Sequence, residues 1–207
     1  MKTKPIFITF EGSEGSGKST QARLLCRYLK SRHKKFLHIR EPGGIKISEE
    51  IRRILLDVEN TSMCDTSETL LYMAARAQLV HEVIAPALKK GTIVICDRFL
   101  DSTIVYQGYG NGVSLKFIKD IGRLVTEGIT PNLTFIFDIG VKHGLSRTGK
   151  VKDRIERRSL DYHNRVRKGY LALARQEPKR IKLINAHGSR EAIQAVIRGF
   201  VEGLLKI

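Results

Sequence analysis

Gly12-Ser13-Glu14-Gly15-Ser16-Gly17-Lys18-Ser19-Thr20 is the stretch that decides the fold. It follows the apolar run Ile6-Phe7-Ile8-Thr9-Phe10 and precedes Ala22, Leu24, Leu25, Tyr28 and Leu29, which recur at helical spacing. The pattern G-x-x-x-x-G-K-S, set between a strand and a helix, reads as a loop that cradles the phosphates of a nucleoside triphosphate. Glycines let the backbone curl so that successive N–H groups converge on an anion. Lys18 adds a point charge for the β- and γ-phosphates, and the Ser19 hydroxyl suits a Mg²⁺ ion. The helix that follows contributes the partial positive charge of its N-terminus. Residues Gly12, Ser13, Glu14, Gly15, Ser16, Gly17, Lys18, Ser19 and Thr20 are therefore the candidate ATP-binding loop.

Outward from this loop the chain alternates. Apolar, β-rich runs predict strands at 6–10, 36–39, 92–96, 133–137 and 181–184. Helical periodicity predicts helices at 18–32, 48–57, 67–90, 114–126, 154–176 and 189–205. Such alternation implies an α/β fold, a five-stranded parallel sheet with helices on both faces. Ligands of such sheets bind beyond the carboxyl ends of the strands. Polar residues gather there: Glu11 to Lys18, Arg40-Glu41, Asp97-Arg98 and Asp138. The stretch Gly140 to Lys152 is rich in Gly, Lys and Arg and has little apolar periodicity. Such a segment buries itself poorly, and beside a phosphate site it is a candidate lid, about residues 140–156. The length suits one domain, 1–207.

Composition narrows the partners. A formal net charge of +16 points to anions, either nucleotides or a nucleic acid. Residues 142–182 hold 14 Lys/Arg against 4 Asp/Glu, a net +10. Most of these fit a solvated basic helix face, and no nucleic-acid-binding motif accompanies them. No apolar run approaches the roughly 20 residues needed to span a bilayer, and the N-terminus enters a strand at once, without the look of a signal peptide. Three scattered cysteines favour reduced thiols in a cytoplasmic protein. The six histidines form no metal-ligand spacing.

The other strand ends separate the classes that share a phosphate loop. Thr92-Ile93-Val94-Ile95-Cys96-Asp97 ends in an acid that can approach Mg²⁺ or its water shell, so Ser19 and Asp97 are the candidate metal residues. Arg98 follows directly. An arginine there favours holding a second anion over polarising water. The guanine signatures D-x-x-G and N-K-x-D are absent from the sequence.

Five motifs in this order resemble the thymidylate kinase (dTMP kinase) family, in its bacterial form. They are F-E-G-S-E-G-S-G-K-S-T at 10–20, R-E-P-G-G at 40–44, L-L-Y-M-A-A-R at 70–76, D-R-F-L-D-S-T-I-V-Y-Q-G at 97–108 and D-R-I-E at 153–156. The resemblance covers nearly the whole chain and implies Mg²⁺-dependent transfer of a phosphoryl group from ATP to dTMP. It implies Lys18 at the transferring phosphate and Arg98 on the acceptor phosphate. Tyr72 would stack on the thymine, Arg76 would reach a thymine carbonyl, and Ser102 and Thr103 would line the base edge. Tyr106 would crowd the sugar 2′ position, Gln107 would support the phosphate region and Glu14 would face the sugar. Glu41 and Arg52 would lie near the acceptor. The loop carries no arginine, so the chain resembles the subclass whose catalytic arginine sits in the lid, which here holds Arg147, Lys150, Lys152 and Arg154. The resemblance further implies a homodimer, no membrane and no nucleic acid. Two positions depart from the family pattern: Ile45, where Thr is usual, and His163, where an aromatic is common. Two rivals follow from the residues: a kinase of dUMP or UMP, and a nucleic-acid-binding ATPase suggested by the charge. A regulatory module without catalysis would leave Arg98 and the lid arginines without a purpose.

Overall fold

The computed structural model describes residues 5–149 and 151–206, so Lys150 of the expected lid lies outside the described residues. Five strands form one parallel sheet: β1 (Phe7–Gly12), β2 (Phe36–Arg40), β3 (Ile93–Asp97), β4 (Leu133–Asp138) and β5 (Ile181–Asn185). Their order is β2-β3-β1-β4-β5, every neighbouring pair parallel. Each lies within two residues of its expected position; β1, β3 and β4, buried almost throughout, read as continuous apolar runs. β1 is central, and the chain crosses from one half of the sheet to the other between β3 and β4.

Alternation along the strands builds the two faces. Ile8, Phe10, Ile95, Phe135 and Phe137 pack on one side against Ala22, Leu25 and Leu29 of α1 (Lys18–Ser31) and Ile197 and Val201 of α9 (Arg190–Leu205). Phe7, Val94, Cys96 and Phe99 meet Leu79, Val80 and Ile84 on the other side. There too, Ile136 and Ile181 meet Tyr106, Tyr162, Val166, Tyr170 and Leu173. Side chains of the central strands are 0–1 % exposed at Phe7, Ile8, Phe10, Val94 and Ile95, so the strand ends are held by a close-packed core.

The helices differ from expectation in three instructive places. The expected helix 67–90 is α3 (Asp65–Leu79), a widened π turn (Val80–Ile84) and α4 (Ala85–Lys89). Pro86 donates no hydrogen bond and its ring crowds the carbonyl one turn back, and the wide turn absorbs this. The expected start at 154 moves to Leu160 in α8 (Leu160–Gln176). Ser159 caps α8 by accepting from Tyr162 N–H at 3.2 Å, while Asp153 accepts from the N–H groups of Ile155 and Glu156 at 2.9 Å and holds 153–158 in turns. The lid segment, expected to bury little, opens with a helix, α7 (Val141–Ser146), whose Val141 and Gly144 are buried. Gly144 sits so close to the phosphate loop that a Cβ there would stand 2.5 Å from the Glu14 carbonyl. A small residue makes that contact possible, which a reading of apolar periodicity overlooks. α2 (Lys46–Leu56) and α6 (Leu115–Val125) fall where expected. A short helix α5 (Leu100–Thr103) runs into a second π turn, Ile104–Gly110, that periodicity does not mark.

Candidate active site

The loop between β1 and α1 has the backbone its glycines require. Gly12, Gly15 and Gly17 all have positive φ, and α7 covers Gly15 so closely that a side chain there would collide with the Gly144 carbonyl. Ser13 and Ser16 are buried, Gly17 is exposed, and Ser19 and Thr20 open α1 half-buried. Lys18 Nζ donates to the Ser13 carbonyl at 3.1 Å. Burial, and then Arg98, bring its ammonium down to about 8, against the pull of Glu14, Asp97 and Glu11. An anion in the loop would restore it.

Beside the loop lies a cavity of about 230 Å³ at the carboxyl ends of β1, β2 and β3. All ten residues expected on the acceptor side line it: Glu14, Glu41, Arg52, Tyr72, Arg76, Arg98, Ser102, Thr103, Tyr106 and Gln107. Four remote segments therefore converge on one chamber. Pro42, Leu56, Asp153, Ile155 and Glu156, not anticipated individually, complete its wall.

Arg98 forms the floor. Its backbone has φ +70°, a conformation that non-glycine residues seldom adopt. Its N–H bonds the Phe10 carbonyl at 2.9 Å. Nη1 donates to the Gly12 carbonyl (3.0 Å), Ser102 Oγ (3.2 Å) and Tyr170 OH (3.2 Å), and Nη2 to Glu14 Oε1 (2.8 Å). The guanidinium carbon also lies 4.9 Å from the centre of the Tyr106 ring. Burial would weaken its charge, but Tyr106, Tyr170, Glu14 and Glu11 outweigh burial and keep it protonated. Glu14 is reciprocally fixed. Tyr106 OH donates to both its oxygens at 2.7 and 2.9 Å. Burial opposes its charge, but Arg98 and Lys18 prevail and hold the carboxyl below its ordinary range.

Arg76 is 2 % exposed and bonded on every side. Nε donates to Glu41 Oε2 (2.7 Å), Nη1 to Thr103 Oγ1 (3.0 Å) and Met73 Sδ (3.4 Å), and Nη2 to the Phe99 carbonyl (3.0 Å). A guanidinium has five N–H donors, so one on Nη2 is left for the chamber. Arg52 is steadied by the Pro42 carbonyl at 2.9 Å. Gln107 donates to the buried Glu68 at 2.9 Å.

Asp97, next to the loop, lies beside the Ser19 hydroxyl and stands 3.3 Å from His38 Nε2. Burial opposes its ionisation, but these two donors and Lys18 keep it ionised. Among the described residues no three His, Cys, Asp or Glu side chains cluster as a metal site. One hydroxyl and one carboxylate side by side fit Mg²⁺, which takes few protein ligands and completes its shell with phosphate oxygens and water.

The lid arginines are placed differently. Arg147 starts beside Gly15, its Cβ at the edge of the loop. Arg154 is 8 % exposed and is not among the residues that line the chamber. Nε donates to the Leu55 carbonyl at 2.8 Å, and Nη2 stands 2.6 Å from Glu68. His163 lies behind Glu14, with Nδ1 3.8 Å from Oε2. Both ring nitrogens are buried without a hydrogen bond among the described residues.

Two side chains of the site escape sequence reading. Glu11, fully buried, accepts from Phe99 N–H (2.7 Å), Ser102 Oγ (2.5 Å) and Tyr170 OH (3.1 Å). Burial, and then Asp101, push its carboxyl up to about 7. A glutamate closing an apolar strand is a visible signal. Tyr170 carries none, since an aromatic at helical spacing reads as core.

The thymidylate kinase family model matches residues 10–197. The chain belongs to the thymidylate kinase family. Family members named "Thymidylate kinase" include one from Symbiobacterium thermophilum, 48 % identical over 201 residues and covering 97 % of this chain and 94 % of its own. Another, from Kosmotoga olearia, is 46 % identical over 205 residues and covers 98 % of each chain. The crystal structure of thymidylate kinase from Ehrlichia chaffeensis superposes with a TM-score of 0.80 at 32 % identity, over 95 % of this chain and 98 % of that one. The family is thus an enzyme family with a phosphate-loop fold, and the chamber is its candidate active site.

Proposed function

We propose that the enzyme transfers the γ-phosphoryl group of ATP to dTMP, giving dTDP. The observation that carries this reading is the adjacency of two cationic centres that line one cavity: Lys18 on the phosphate loop and Arg98 on the cavity floor. The acceptor is a phosphate monoester whose second pKa is about 6, so it is largely ionised at neutral pH and needs no general base. The work is to bring two polyanions together and to stabilise the moving phosphoryl group.

On this reading Arg98 holds the acceptor phosphate and Glu14 the sugar. Tyr72 stacks on the base, the free N–H of Arg76 meets a base carbonyl, and Tyr106 excludes a 2′-hydroxyl. Glu41, Arg52, Ser102, Thr103 and Gln107 complete the wall. Residues 12–20 wrap the ATP phosphates. Ser19 and Asp97 hold Mg²⁺, which when bound neutralises phosphate charge. Arg147 and Arg154 act from a lid spanning about 140–156. Arg154 reaches the phosphates after leaving Glu68, with 1–207 working as one domain. A homodimer through α2, α3 and α6 is supported by the exposed apolar side chains Ile47, Ile54, Leu70, Phe117 and Leu124. On this reading the enzyme is cytoplasmic; among the described residues no helix is long and apolar enough to cross a membrane.

The test is ADP release with ATP and Mg²⁺, offering dTMP, dUMP, UMP, dCMP and dGMP in turn. Strong turnover with dTMP, weaker with dUMP and negligible with UMP is expected. Equal turnover of UMP would remove the sugar role of Tyr106, and no turnover with any monophosphate would remove the reaction.

A further inference from the structure

Arg98 is held by hydroxyls, and the direction of those hydroxyls matters. A hydroxyl has one proton and two lone pairs, so it supports a guanidinium only while its proton points elsewhere. Ser102 and Tyr170 both place their oxygens 3.2 Å from Arg98 Nη1. The two oxygens are also 2.9 Å from each other. A neutral hydroxyl accepts less strongly than a carboxylate, and both hydroxyls reach the same carboxylate atom, Glu11 Oε2, at 2.5 and 3.1 Å. The other carboxylate oxygen, Oε1, takes the Phe99 N–H at 2.7 Å, directly after Arg98 in the chain. Glu11 comes from β1, Ser102 from α5 and Tyr170 from α8, so one carboxylate ties three elements to one arginine.

We infer that Glu11 is a positioning residue for the acceptor-phosphate site: its carboxylate draws both hydroxyl protons toward itself, so that Ser102 and Tyr170 turn lone pairs to Arg98 and fix its fork for the phosphate. The inference rests on the reading of Arg98 given above and adds a residue that contacts no substrate. It also explains why a carboxylate sits inside the sheet. A buried acid is costly unless it is bonded, and here it is the terminal acceptor of a chain of polar groups that ends on the substrate's ligand.

Glu11→Gln tests this with little change in shape. Phe99 N–H still needs an acceptor, so the amide oxygen takes the Oε1 position and the NH₂ group replaces Oε2. That group donates to the hydroxyls, and their protons turn back toward Arg98. At pH 8, where the raised Glu11 carboxyl is ionised, the expected result is a rise in the dTMP KM of about ten- to a hundredfold, the range for a lost hydrogen bond to a charged group. The ATP KM should stay within twofold and kcat should fall less than the KM rises. A merely structural residue would lower the active fraction and leave both KM values alone.

The decisive arm is a cycle in the Ser102→Ala/Tyr170→Phe background, where no hydroxyls remain to be turned. There Glu11→Gln should change the dTMP KM by less than about twofold, since residues that act through one another are not additive. An unchanged dTMP KM in the single variant, or an equal rise in both backgrounds, overturns the inference. If Glu11→Gln does not fold, Tyr170→Phe alone carries the test: a several-fold rise in dTMP KM with an unaltered ATP KM is expected, and no rise overturns it. The wild-type enzyme is assayed beside each variant. Wild-type turnover of dTMP with an unmoved variant KM condemns Glu11 alone, whereas absent wild-type turnover condemns the proposed reaction together with the inference built on it.

Discussion

Two buried carboxylates organise the two sides of the chamber, and they treat their arginines differently. On the floor, Glu11 touches Arg98 only through the Ser102 and Tyr170 hydroxyls, and Arg98 lines the cavity. On the lid side, Glu68 binds arginine directly. It stands 2.6 Å from Arg154 Nη2 and 3.1 Å from Arg158 Nη2, and also accepts from Gln107 and Asn111. Arg98 also pairs with Glu14 at 2.8 Å, but that carboxylate itself lines the cavity, and Nη1 is held by neutral hydroxyls, so the guanidinium is fixed where a ligand can reach its charge. A guanidinium paired with a buried carboxylate is fixed with its charge largely spent. On the proposed reading the floor is thus built in its working arrangement, while the candidate lid is built in a holding one.

The largest expected effect tests the lid half of this contrast. If Arg154 leaves Glu68 to stabilise the moving phosphoryl group, Arg154→Ala lowers turnover on the order of 10³-fold or more, with little change in ATP affinity. The same loss is expected in Arg154→Ala/Glu68→Gln, measured by single-turnover chemistry. Near-normal turnover in the single variant would falsify the catalytic assignment. Recovery in the double variant would show that Arg154 serves only as a counter-ion to a buried acid.

The floor should respond differently. Arg98→Ala is expected to lower kcat/KM for dTMP about 10²- to 10³-fold, the range for truncating one partner of a buried, hydrogen-bonded charge contact. ATP affinity should change far less. Arg98→Lys should recover only part, because an ammonium lacks the fork that meets two phosphate oxygens. Equal losses for ATP and dTMP would break the comparison, since Arg98 would then belong to the phosphate loop as a whole.

Much of this architecture is legible in the amino-acid sequence. The five strands are, because β1, β3 and β4 are buried almost throughout and leave continuous apolar runs, while the partly exposed β2 and β5 still carry Phe36, Leu37 and Ile39, and Ile181, Leu183 and Ile184. The chamber wall is, through the motifs that resemble the thymidylate kinase family, which carry Glu14, Tyr72, Arg76, Arg98 and Tyr106, all of them lining the cavity. The supporting carboxylates are not. Glu11 closes β1 and reads as the first polar residue of the loop; only the fold shows it buried under Ser102 and Tyr170. Glu68 reads as a first-turn acid favourable at a helix N-terminus. Its burial at 0 % exposure depends on Arg154 and Gln107, which lie 86 and 39 residues away in sequence. The lid is misread for a related reason. Apolar periodicity counts side chains, and α7 docks through a glycine, Gly144, whose value is the side chain it lacks.

The smallest expected effect sharpens the floor. Glu11 has its carboxyl raised from 4.5 to about 7 by burial and, next, by Asp101. A raised acid binds more protons folded than unfolded between those two values, so its contribution to stability is full below about 4.5 and is lost as pH rises through 7. Glutamine at this position has no such dependence. The difference in unfolding free energy, wild type minus Glu11→Gln, should therefore fall by up to about 3 kcal/mol between pH 4.5 and 8. Urea unfolding of the two proteins across this range measures it. A flat difference would mean that Glu11 is ionised throughout at no cost, held by Arg98 alone, and the contrast between a working floor and a holding lid would lose its electrostatic basis. A falling difference, together with a raised dTMP KM, would mean that the enzyme keeps a costly buried charge because the direction of two hydroxyl protons depends on it.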